Sequence, residues 1–428
     1  MTLSWTSPAG VTFQQVISID KNFMFNVVQR VINPGPAAIT VQPWGLVSRR
    51  GTGPEKGEYA LHIGPIGVLD GTLKDSNIEY ADLRDDGPQS FDSTGGWLGI
   101  TDKYWLAALV PDQKTKIAAR FAAAPGDVFQ ADYLSPAITI AAGQSASSQT
   151  RLFAGAKEIS LLDQTMKTLD IPNFDLAVSW GWFKVIAQPI FWLLEWLFHL
   201  TGNFGVAIIG LTLIVRAAMF PIANKQYESM AKMRVVAPKM KAIQEKYKDD
   251  KVRAQQEMMA LYKTEKVNPL AGCLPILIQI PIFYALYKAL LVSIEMRHQP
   301  FALWIKDLSA PDPLTPLNLF GLIPWDPPGF LHIGVFPIIL GVTMWVQQKM
   351  NPTPMDPVQK QVFSIMPWVF MFIMAPFAAG LQLYWIVNNL ISIAQQWYML
   401  RKYPMPATPP AAEVVTVKPV SKTVKGQK

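Results

Sequence analysis

Hydrophobic and polar positions alternate in short runs over the first 158 residues. The runs at 11–19 and 23–31 are rich in β-branched and aromatic residues, and each is followed by a turn sequence, Asp20-Lys-Asn and Asn33-Pro-Gly-Pro. Further strands are predicted near 39–43, 97–111, 117–123 and 137–141. Turn signals this frequent are typical of antiparallel sheets packed face to face. We therefore predict an all-β sandwich over residues 1–158.

The pattern becomes helical after residue 158. A short polar helix is predicted at 158–169, and a longer segment at 175–200 carries its polar side chains within a narrow arc at ~100° per residue. These side chains are Lys184, Gln188, Glu195 and His199. Tryptophans and leucines fill the remaining arc, which is typical of a helix lying in the membrane interface. Residues 159–201 are thus predicted to be a linker and an interfacial amphipathic helix.

Five apolar segments within residues 202–400 are candidates for membrane spans. They lie at 205–223, 270–293, 332–348, 362–376 and 380–397. Some are shorter than the ~20 residues that a bilayer core requires, but local thinning of the bilayer accommodates short spans at modest cost. We therefore predict an all-α membrane core of five helices, with a cytoplasmic helical hairpin at 225–267 between the first two.

Composition and charge support a membrane partner. Half of the residues are hydrophobic and only 16% are charged, against about 25% in an ordinary soluble protein. The formal net charge is +7, but the basic residues cluster beside the apolar runs, without the aromatic-interleaved basic patch that grips nucleic acid bases. We infer contact with membrane lipid and no binding of DNA.

The loop charges predict the orientation. Between Lys225 and Lys266 there are eleven Lys or Arg residues against six Asp or Glu, and the Pro-, Ala- and Lys-rich tail at 401–428 is basic and predicted to be disordered. The positive-inside rule places both in the cytoplasm. Five spans then place the β-domain on the opposite side of the membrane, outside the cytoplasm. Because nothing before residue 175 can export such a domain, we expect an anchor helix, and the first strand or strands of the sandwich, to precede Met1.

Arg216 is the most specific candidate residue. It lies inside the first predicted span, where a charge costs about 2.5–3.5 kcal/mol on insertion scales. One interpretation is that its side chain extends to the inner headgroups; the other is that it faces a hydrated cavity between helices. Thr212, one turn earlier, favours the cavity. Gln279, Gln382, Asn388 and Asn389 also lie inside predicted spans, where such residues commonly hold helices together.

Enzyme chemistry is poorly supported. The chain has no phosphate-binding loop, G-x-S-x-G or H-E-x-x-H motif, only one cysteine (Cys273), and four histidines without zinc-ligand spacing. We therefore predict no catalytic, metal or cofactor site. Asp85, Asp86 and Asp102 are read as surface turns rather than a sugar-cleft pair. The rival function, a small-solute transporter or channel, predicts internal repeats and intramembrane carboxylates, and neither is found.

Several stretches resemble the YidC/Oxa/Alb family of membrane protein insertases. They are Gly202-Asn-Phe-Gly, Ile214-Val-Arg-Ala-Ala-Met-Phe-Pro, Tyr227-Glu-Ser-Met-Ala-Lys-Met-Arg, Gln256-Glu-Met-Met-Ala-Leu-Tyr-Lys, Lys266-Val-Asn-Pro-Leu-Ala-Gly-Cys-Leu-Pro, Pro300-Phe-Ala-Leu-Trp-Ile-Lys-Asp-Leu-Ser and Gly380-Leu-Gln-Leu-Tyr-Trp-Ile-Val-Asn-Asn. The resemblance is dense over residues 175–402 and looser in the β-domain, which is similar to the β-supersandwich of the family.

The resemblance implies a hydrophilic groove that is open to cytoplasm and lipid and closed outside. Arg216 would attract the polar part of a client protein, while the client helix leaves along the second and fourth spans. Thr212, Gln279 and Tyr384 are implied to line the groove; Trp385 is a further candidate that departs from the expected aromatic residue. The resemblance also implies a location in the bacterial inner membrane, with the β-domain in the periplasm. The implied partners are nascent membrane proteins, the ribosome, the signal-recognition-particle receptor and the Sec translocon.

Overall fold

The computed structural model describes residues 1–53, 61–76, 78–265, 274–325, 327–328, 332–350 and 357–402. The chain divides into two compact units. The first comprises Met1–Trp192 and Tyr284–Gln299, and the second comprises Leu193–Phe283 and Pro300–Lys428. Nearly all of the predicted tail at 401–428, and the end of the predicted hairpin, lie outside the described residues.

Strands make up most of the first unit. In chain order they are β1 (Thr2–Thr6), β2 (Thr12–Ile19), β3 (Met24–Ile32), β4 (Ile39–Val41), β5 (Trp44–Arg50), β6 (Gly64–Leu69), β7 (Thr72–Lys74), β8 (Gln89–Thr94), β9 (Trp97–Thr101), β10 (Trp105–Val110), β11 (Lys116–Ala124), β12 (Val128–Leu134), β13 (Ile138–Ile140) and β14 (Ser145–Ala156). They form an eight-stranded sheet in the order β1-β2-β3-β14-β10-β9-β6-β7, a four-stranded sheet β5-β12-β11-β8, and the pair β13-β4. All of these strand pairs are antiparallel.

A hydrophobic core lies between the two larger sheets. In β11 the residues alternate between exposed and buried, so Phe121 points inward, and Phe129 of β12 lies beside it in the same core. The eight-stranded sheet contributes Leu98, Ile100 and Leu109 to this core. The buried Tyr133 hydroxyl donates to Thr150 Oγ1 at 2.8 Å, so the one polar group that β12 brings into the core is paired.

A second core covers the other side of the eight-stranded sheet. Helix α1 (Tyr80–Asp85) belongs to the first core, whereas α2 (Ile159–Leu169) packs Leu162 into the second one. Trp97 of β9 and Phe153 of β14 both stack edge-on against Phe174 in a 3₁₀ turn after α2. The unit is therefore a sandwich with a helical layer on one face.

The predicted order, an all-β sandwich followed by a helical region, is confirmed. The predicted strands at 11–19 and 23–31 correspond to β2 and β3, and the predicted polar helix corresponds to α2. Sequence patterns missed β6, because Gly64-Pro-Ile-Gly-Val-Leu looks like a turn. Gly67 is required there, since a Cβ atom would lie 2.7 Å from the Trp97 carbonyl oxygen of the neighbouring strand.

Helix α3 (Lys184–Thr201) occupies most of the segment predicted to be interfacial. Its first residue is held by an ion pair between Lys184 Nζ and Asp175 Oδ2 at 2.5 Å. Large apolar side chains such as Val185 and Leu200 are strongly exposed along it. Exposed apolar surface of this extent is expected where a helix meets lipid rather than water.

The remaining helices are long. They are α4 (Phe204–Lys246), α5 (Lys251–Thr264), α6 (Leu274–Val292), α7 (Val335–Lys349), α8 (Pro357–Met374) and α9 (Ala379–Lys402). The structure joins the first predicted span and the first arm of the hairpin into the single helix α4, which continues through Pro221 and Pro238. A proline removes only one backbone donor, and a long helix tolerates that loss.

Helix α9 is central to the packing of the second unit, because it contacts both α4 and α7, and α7 also contacts α8. Helices α8 and α9 are separated at 375–378, where the Gln382 amide donates to the carbonyl oxygens of Met374 and Phe377. Among the described residues, Phe204–Lys225 alone is both long and apolar enough to qualify as a candidate span by length and composition. Leu277–Val292 and Gln361–Met374 are shorter apolar helices.

Candidate functional site

Arg216 lies within α4, and its guanidinium group is directed toward α9. Its Nε donates to Asn388 Oδ1 at 2.6 Å, and its Nη2 donates to Ser392 Oγ at 2.6 Å and to the Asn388 carbonyl oxygen at 3.3 Å. Asn388 and Ser392 are four residues apart, so they present their side chains on one face of α9. The side chain thus points from α4 toward α9.

The acceptors at these bonds are neutral. Hydrogen bonds that involve a charged donor are roughly twice as strong as neutral ones, so Asn388 and Ser392 hold the guanidinium firmly. Neither residue carries a negative charge that would cancel its field. The Arg216 side chain is only half-buried, so part of it remains accessible beside these bonds.

Thr212 is fully buried one turn before Arg216. Its hydroxyl donates to the Ile208 carbonyl oxygen at 2.7 Å, which is the bond that threonines often form inside helices. Thr212 and Arg216 therefore lie one turn apart on α4, as predicted. The Thr212 hydroxyl, however, is bonded within α4.

Gln279 and Tyr384 connect α6 with α9. The Gln279 amide nitrogen donates to the Tyr384 hydroxyl oxygen at 2.5 Å, and Tyr384 is almost completely buried. These two predicted groove residues are thus brought together, and Tyr384 belongs to α9, the helix that carries the partners of Arg216.

Trp385 is placed differently from its neighbour Tyr384. Its ring lies against the rings of Phe283 and Phe370, with centroids 4.5 and 4.8 Å away. Successive helical residues differ by about 100° in direction, so Trp385 leaves the face of Tyr384 and joins an aromatic cluster of α6, α8 and α9.

Helix α9 carries a buried polar face that sequence analysis recognised only in part. Its buried polar residues are Gln382, Asn388, Asn389, Ser392, Gln395 and Gln396. Asn389 donates to Thr343 Oγ1 on α7 at 3.1 Å, and Gln395 donates to Asn224 Oδ1 on α4 at 3.4 Å. The spacing of 388, 392 and 395 by four and three residues was the available signal, since such residues share a helix face.

The outer surfaces of the same helices are apolar. On α4 the exposed residues include Leu213, Ile214, Phe220 and Ile222, and on α8 they include Phe363, Ile365, Val369 and Phe372. Polar side chains between helices with apolar ones outside are expected when hydrocarbon surrounds the protein. The site around Arg216 is therefore a polar strip within an apolar exterior.

The acidic residues weighed as a sugar-cleft pair have ordinary structural positions. Asp102 forms an ion pair with Arg49, and Asp85 and Asp86 end α1. Across the described residues, no group of three or more His, Cys, Asp or Glu side chains has an arrangement that could hold a metal ion.

Comparison with known families gives two matches that together cover most of the chain. Residues 196–406 match the family described as 60Kd inner membrane protein, and residues 1–193 match the YidC periplasmic domain. The boundary between the two matches falls within α3.

Similar proteins carry one common description. The chain is 49% identical to "Membrane protein insertase YidC" of Zymomonas mobilis, over 94% of this chain and 70% of that protein. It is 50% identical to the protein of the same description from Sinorhizobium medicae, over 94% and 68%. A crystal structure of an active YidC insertase with its first transmembrane domain resolved aligns with 92% of this chain and 82% of that one, at 20% identity and a TM-score of 0.44.

Proposed function

The chain belongs to the YidC family of membrane protein insertases, and we propose that it moves the transmembrane segments of client proteins into the inner membrane through a hydrophilic groove beside Arg216. The observation that carries the mechanism is the orientation of Arg216, whose guanidinium faces the polar side of α9 within a unit that is apolar outside. The family is one of insertases, so a small-solute transporter or channel is not favoured.

The groove would lower the main barrier to insertion. A polar or acidic client segment that crosses hydrocarbon alone loses its hydration and leaves backbone groups unpaired, each at a cost of several kcal/mol. Arg216, together with the amides and hydroxyls of α9, offers replacement hydrogen bonds along part of that path. Burial of the apolar client helix in lipid then supplies the driving force, so the proposed mechanism requires neither a nucleotide nor a covalent step.

We further propose that α4, α6, α7, α8 and α9 provide five spans. The predicted orientation places the β-sandwich in the periplasm, and it places α5, the distal part of α4 and the C-terminal tail in the cytoplasm. Helix α3 would lie in the interface plane. Burial raises the pKa of Glu195 on α3, with His199 opposing the shift, so its carboxyl group is easier to bring close to the membrane in its neutral form.

The proposed groove residues are Arg216, Thr212, Gln279 and Tyr384, with Trp385 at its aromatic edge. For the cytoplasmic side we propose contacts with the ribosome, the signal-recognition-particle receptor and the Sec translocon. Helix α5 suits such contacts, because it packs Met258 and Leu261 against Val236 and Met240 of α4 while leaving Met259 exposed. Flexible methionines make adaptable contact surfaces.

The direct experiment replaces Arg216 and measures insertion. Arg216→Ala should reduce insertion of clients with acidic translocated tails about tenfold or more, the scale expected when one charge-assisted hydrogen bond is lost. Arg216→Lys should retain part of the activity. Lys225→Ala is the matched control, because Lys225 is an exposed cation at the end of the candidate span Phe204–Lys225. Unchanged insertion of every client by Arg216→Ala would remove the groove from the account.

A second experiment separates the insertase from the enzyme alternative. Deletion of residues 1–158 removes the whole sandwich but leaves the second unit, so the insertase should retain activity. An enzyme whose site lay in the sandwich would lose all of its activity.

A further inference from the structure

The segment from Phe301 to Leu314 touches the beginnings of three helices in the second unit. It accepts a hydrogen bond from the Asn203 amide at the start of α4, with 2.9 Å between Asn203 Nδ2 and the Phe301 carbonyl oxygen. It also accepts two hydrogen bonds from the start of α9. The Ala379 amide donates to the Ala310 carbonyl oxygen at 2.7 Å, and the Gly380 amide donates to the Leu308 carbonyl oxygen at 2.9 Å. The same stretch, which we term the crossing segment, reaches the start of α7 through Asp312.

The Asp312 side chain of the crossing segment accepts three hydrogen bonds. It is 1% exposed, and Oδ1 accepts from Trp304 Nε1 at 2.9 Å and from the Leu314 amide at 3.0 Å. Oδ2 accepts from the Phe336 amide at 2.7 Å. A buried carboxylate is costly unless it is hydrogen-bonded, and here both oxygens are satisfied.

The bond to Phe336 places the carboxylate at the N-terminus of α7. The first amides of a helix have no partner within the helix, and the positive end of the helix dipole favours an anion. Gly334, the residue before α7, has no side chain to cap these amides. A Cβ atom on Gly334 would lie 2.6 Å from Asp312 Cβ, so the glycine leaves room for a cap that comes from the crossing segment.

The start of α4 fits the crossing segment just as closely. Asn203 caps α4 with its Oδ1, which accepts from the Val206 amide at 3.1 Å, while its Nδ2 donates to Phe301. A Cβ atom on Gly205 would lie 2.0 Å from the Phe301 ring. The ring therefore rests directly against the first turn of α4.

These contacts fix the axial positions of α4 and α9 relative to each other. Arg216 lies twelve residues beyond Phe204, or ~18 Å along the helix, and Asn388 lies eight residues beyond Gly380, or ~12 Å. Because the crossing segment holds both helix starts, it holds the two ends of the Arg216–Asn388 hydrogen bond in register.

We propose that Asp312 is a positioning residue that closes the outer end of the groove, by fastening the crossing segment to α7 while the same segment holds α4 and α9. This proposal rests on the proposed function and its orientation, in which the starts of α4, α7 and α9 all face outward. The closure keeps water and ions from passing beyond Arg216 while the cytoplasmic end stays open to clients.

The test measures access to the groove from each side of the membrane. In the full chain, with Cys273→Ser as background, Val387→Cys places one thiol at a half-buried position next to Asn388. A membrane-impermeant maleimide is applied to spheroplasts for the outer side and to inverted vesicles for the cytoplasmic side. With Asp312 present, labelling from outside should be slow.

Asp312→Ala should raise the outside labelling rate about tenfold or more, as expected for an opening equilibrium that loses a buried charge-assisted hydrogen bond. Asp312→Asn keeps the size of the side chain and should also raise it. An amide nitrogen donates and does not accept, so either the Phe336 amide or the Trp304 and Leu314 donors lose their acceptor. Cytoplasmic labelling should stay within about twofold. Asp307→Asn is the matched control, since Asp307 accepts from Ser309 within the same segment.

The proposal is overturned if both Asp312 variants are labelled from outside at the same rate as the protein with Asp312. It is also overturned if the labelling rate rises equally from both sides, because that indicates general loosening of the helices. The outcome is independent of the Arg216 test. Loss of insertion in Arg216→Ala with unchanged labelling in Asp312→Asn would leave the proposed function intact and remove Asp312 from it. If outside labelling rises in the Asp312 variants while Arg216→Ala inserts every client normally, the role of Asp312 stands and the proposed role of Arg216 falls.

Discussion

The two units of this chain differ in how many polar side chains their central elements bury. In the sandwich unit the buried residues are mainly aromatic and aliphatic, such as Trp97, Phe121, Phe129 and Phe153. In the helical unit α9 buries six polar residues between its ends, while Leu, Ile, Phe and Trp side chains cover the outside of α4 and α8. The central helix of the second unit thus buries more polar groups than either β9 or β14 of the sandwich.

The difference shows that each unit is built for its own solvent. Water drives apolar groups of the sandwich together, whereas lipid tails are as apolar as leucine and exert no such force between helices. The helical unit therefore relies on close packing and on hydrogen bonds such as those of Arg216 with Asn388 and Ser392. That same polar interior is what an insertase can offer to a client segment.

The largest expected contrast comes from deleting a large apolar side chain in each unit. Phe129→Ala in the sandwich should lower the free energy of unfolding by about 3–5 kcal/mol, because it leaves a cavity in a closed core. Phe372→Ala on the exposed side of α8 should change it by no more than about 0.5 kcal/mol. Thermal unfolding in detergent, followed separately by strand and helix signals, measures both. Equal losses would break the comparison.

A smaller contrast is expected for buried asparagines. Asn33 in the sandwich donates to the carbonyl oxygens of Ala37 and Ile140 and accepts from the Gly35 amide. Asn33→Ala should cost about 1–3 kcal/mol, because these groups lose their partner. Asn389→Ala, which removes the bond to Thr343 on α7, should cost only about 0.6 kcal/mol, the average for such bonds between membrane helices. Denaturant titration of both variants checks the order, and a greater loss for Asn389→Ala would reverse it.

A pH-dependent contrast is expected from Tyr133 in the sandwich core. Burial raises the pKa of Tyr133 above 10.0, and its hydrogen bond to Thr150 opposes the shift. The folded state then holds the proton more tightly than the unfolded state, so this contribution is complete below pH 10 and is lost as the pH rises through the folded pKa. Tyr133→Phe should be slightly less stable at neutral pH, and its stability should fall less steeply above pH 10. Parallel alkaline unfolding curves for the two proteins would contradict this.

The smallest effect is expected for an exposed ion pair of the sandwich unit. Lys167 and Asp163 lie one turn apart on α2, with 3.1 Å between Nζ and Oδ2, and the lysine is largely exposed. Lys167→Ala should lower the free energy of unfolding by no more than about 0.5 kcal/mol, since water screens such pairs. A clear drop in the unfolding midpoint would mean that the pair is coupled to the α2 packing.

Sequence patterns predicted the strands and helices whose hydrophobic residues repeat regularly within a short run. β2, β3 and α2 follow from alternation or helical spacing within ten residues, and Arg216 is visible because a charge is unusual in an apolar run. β14 was missed although it is the longest strand, because Ser145-Ala-Ser-Ser-Gln-Thr is polar and small. Its place in the sheet comes from β3 and β10 on either side, which no local pattern encodes.

Sequence patterns identified polar residues on single helices, but they did not identify the contacts of those residues with other helices. The partners of Arg216 lie 172 and 176 residues later, and pairing them requires the relative position of α4 and α9. The family resemblance named Trp385 as a further groove candidate, but the helix turns its ring away from that of Tyr384 and toward Phe283 and Phe370. Asp312, in the sequence Ala310-Pro-Asp-Pro, looks like an ordinary turn residue, and only the approach of α7 reveals its role as a cap.

The central claim, that the polar part of a client passes beside Arg216 while its apolar helix leaves toward lipid, is most directly tested by site-specific photocrosslinking to a stalled client. A photoreactive residue at position 392 should crosslink to the polar tail, and one at Leu277, exposed on α6, should crosslink to the apolar helix. Leu390, exposed on α9, is the control and should not capture the tail. Crosslinking of the tail at Leu390, with none at position 392, would contradict the account.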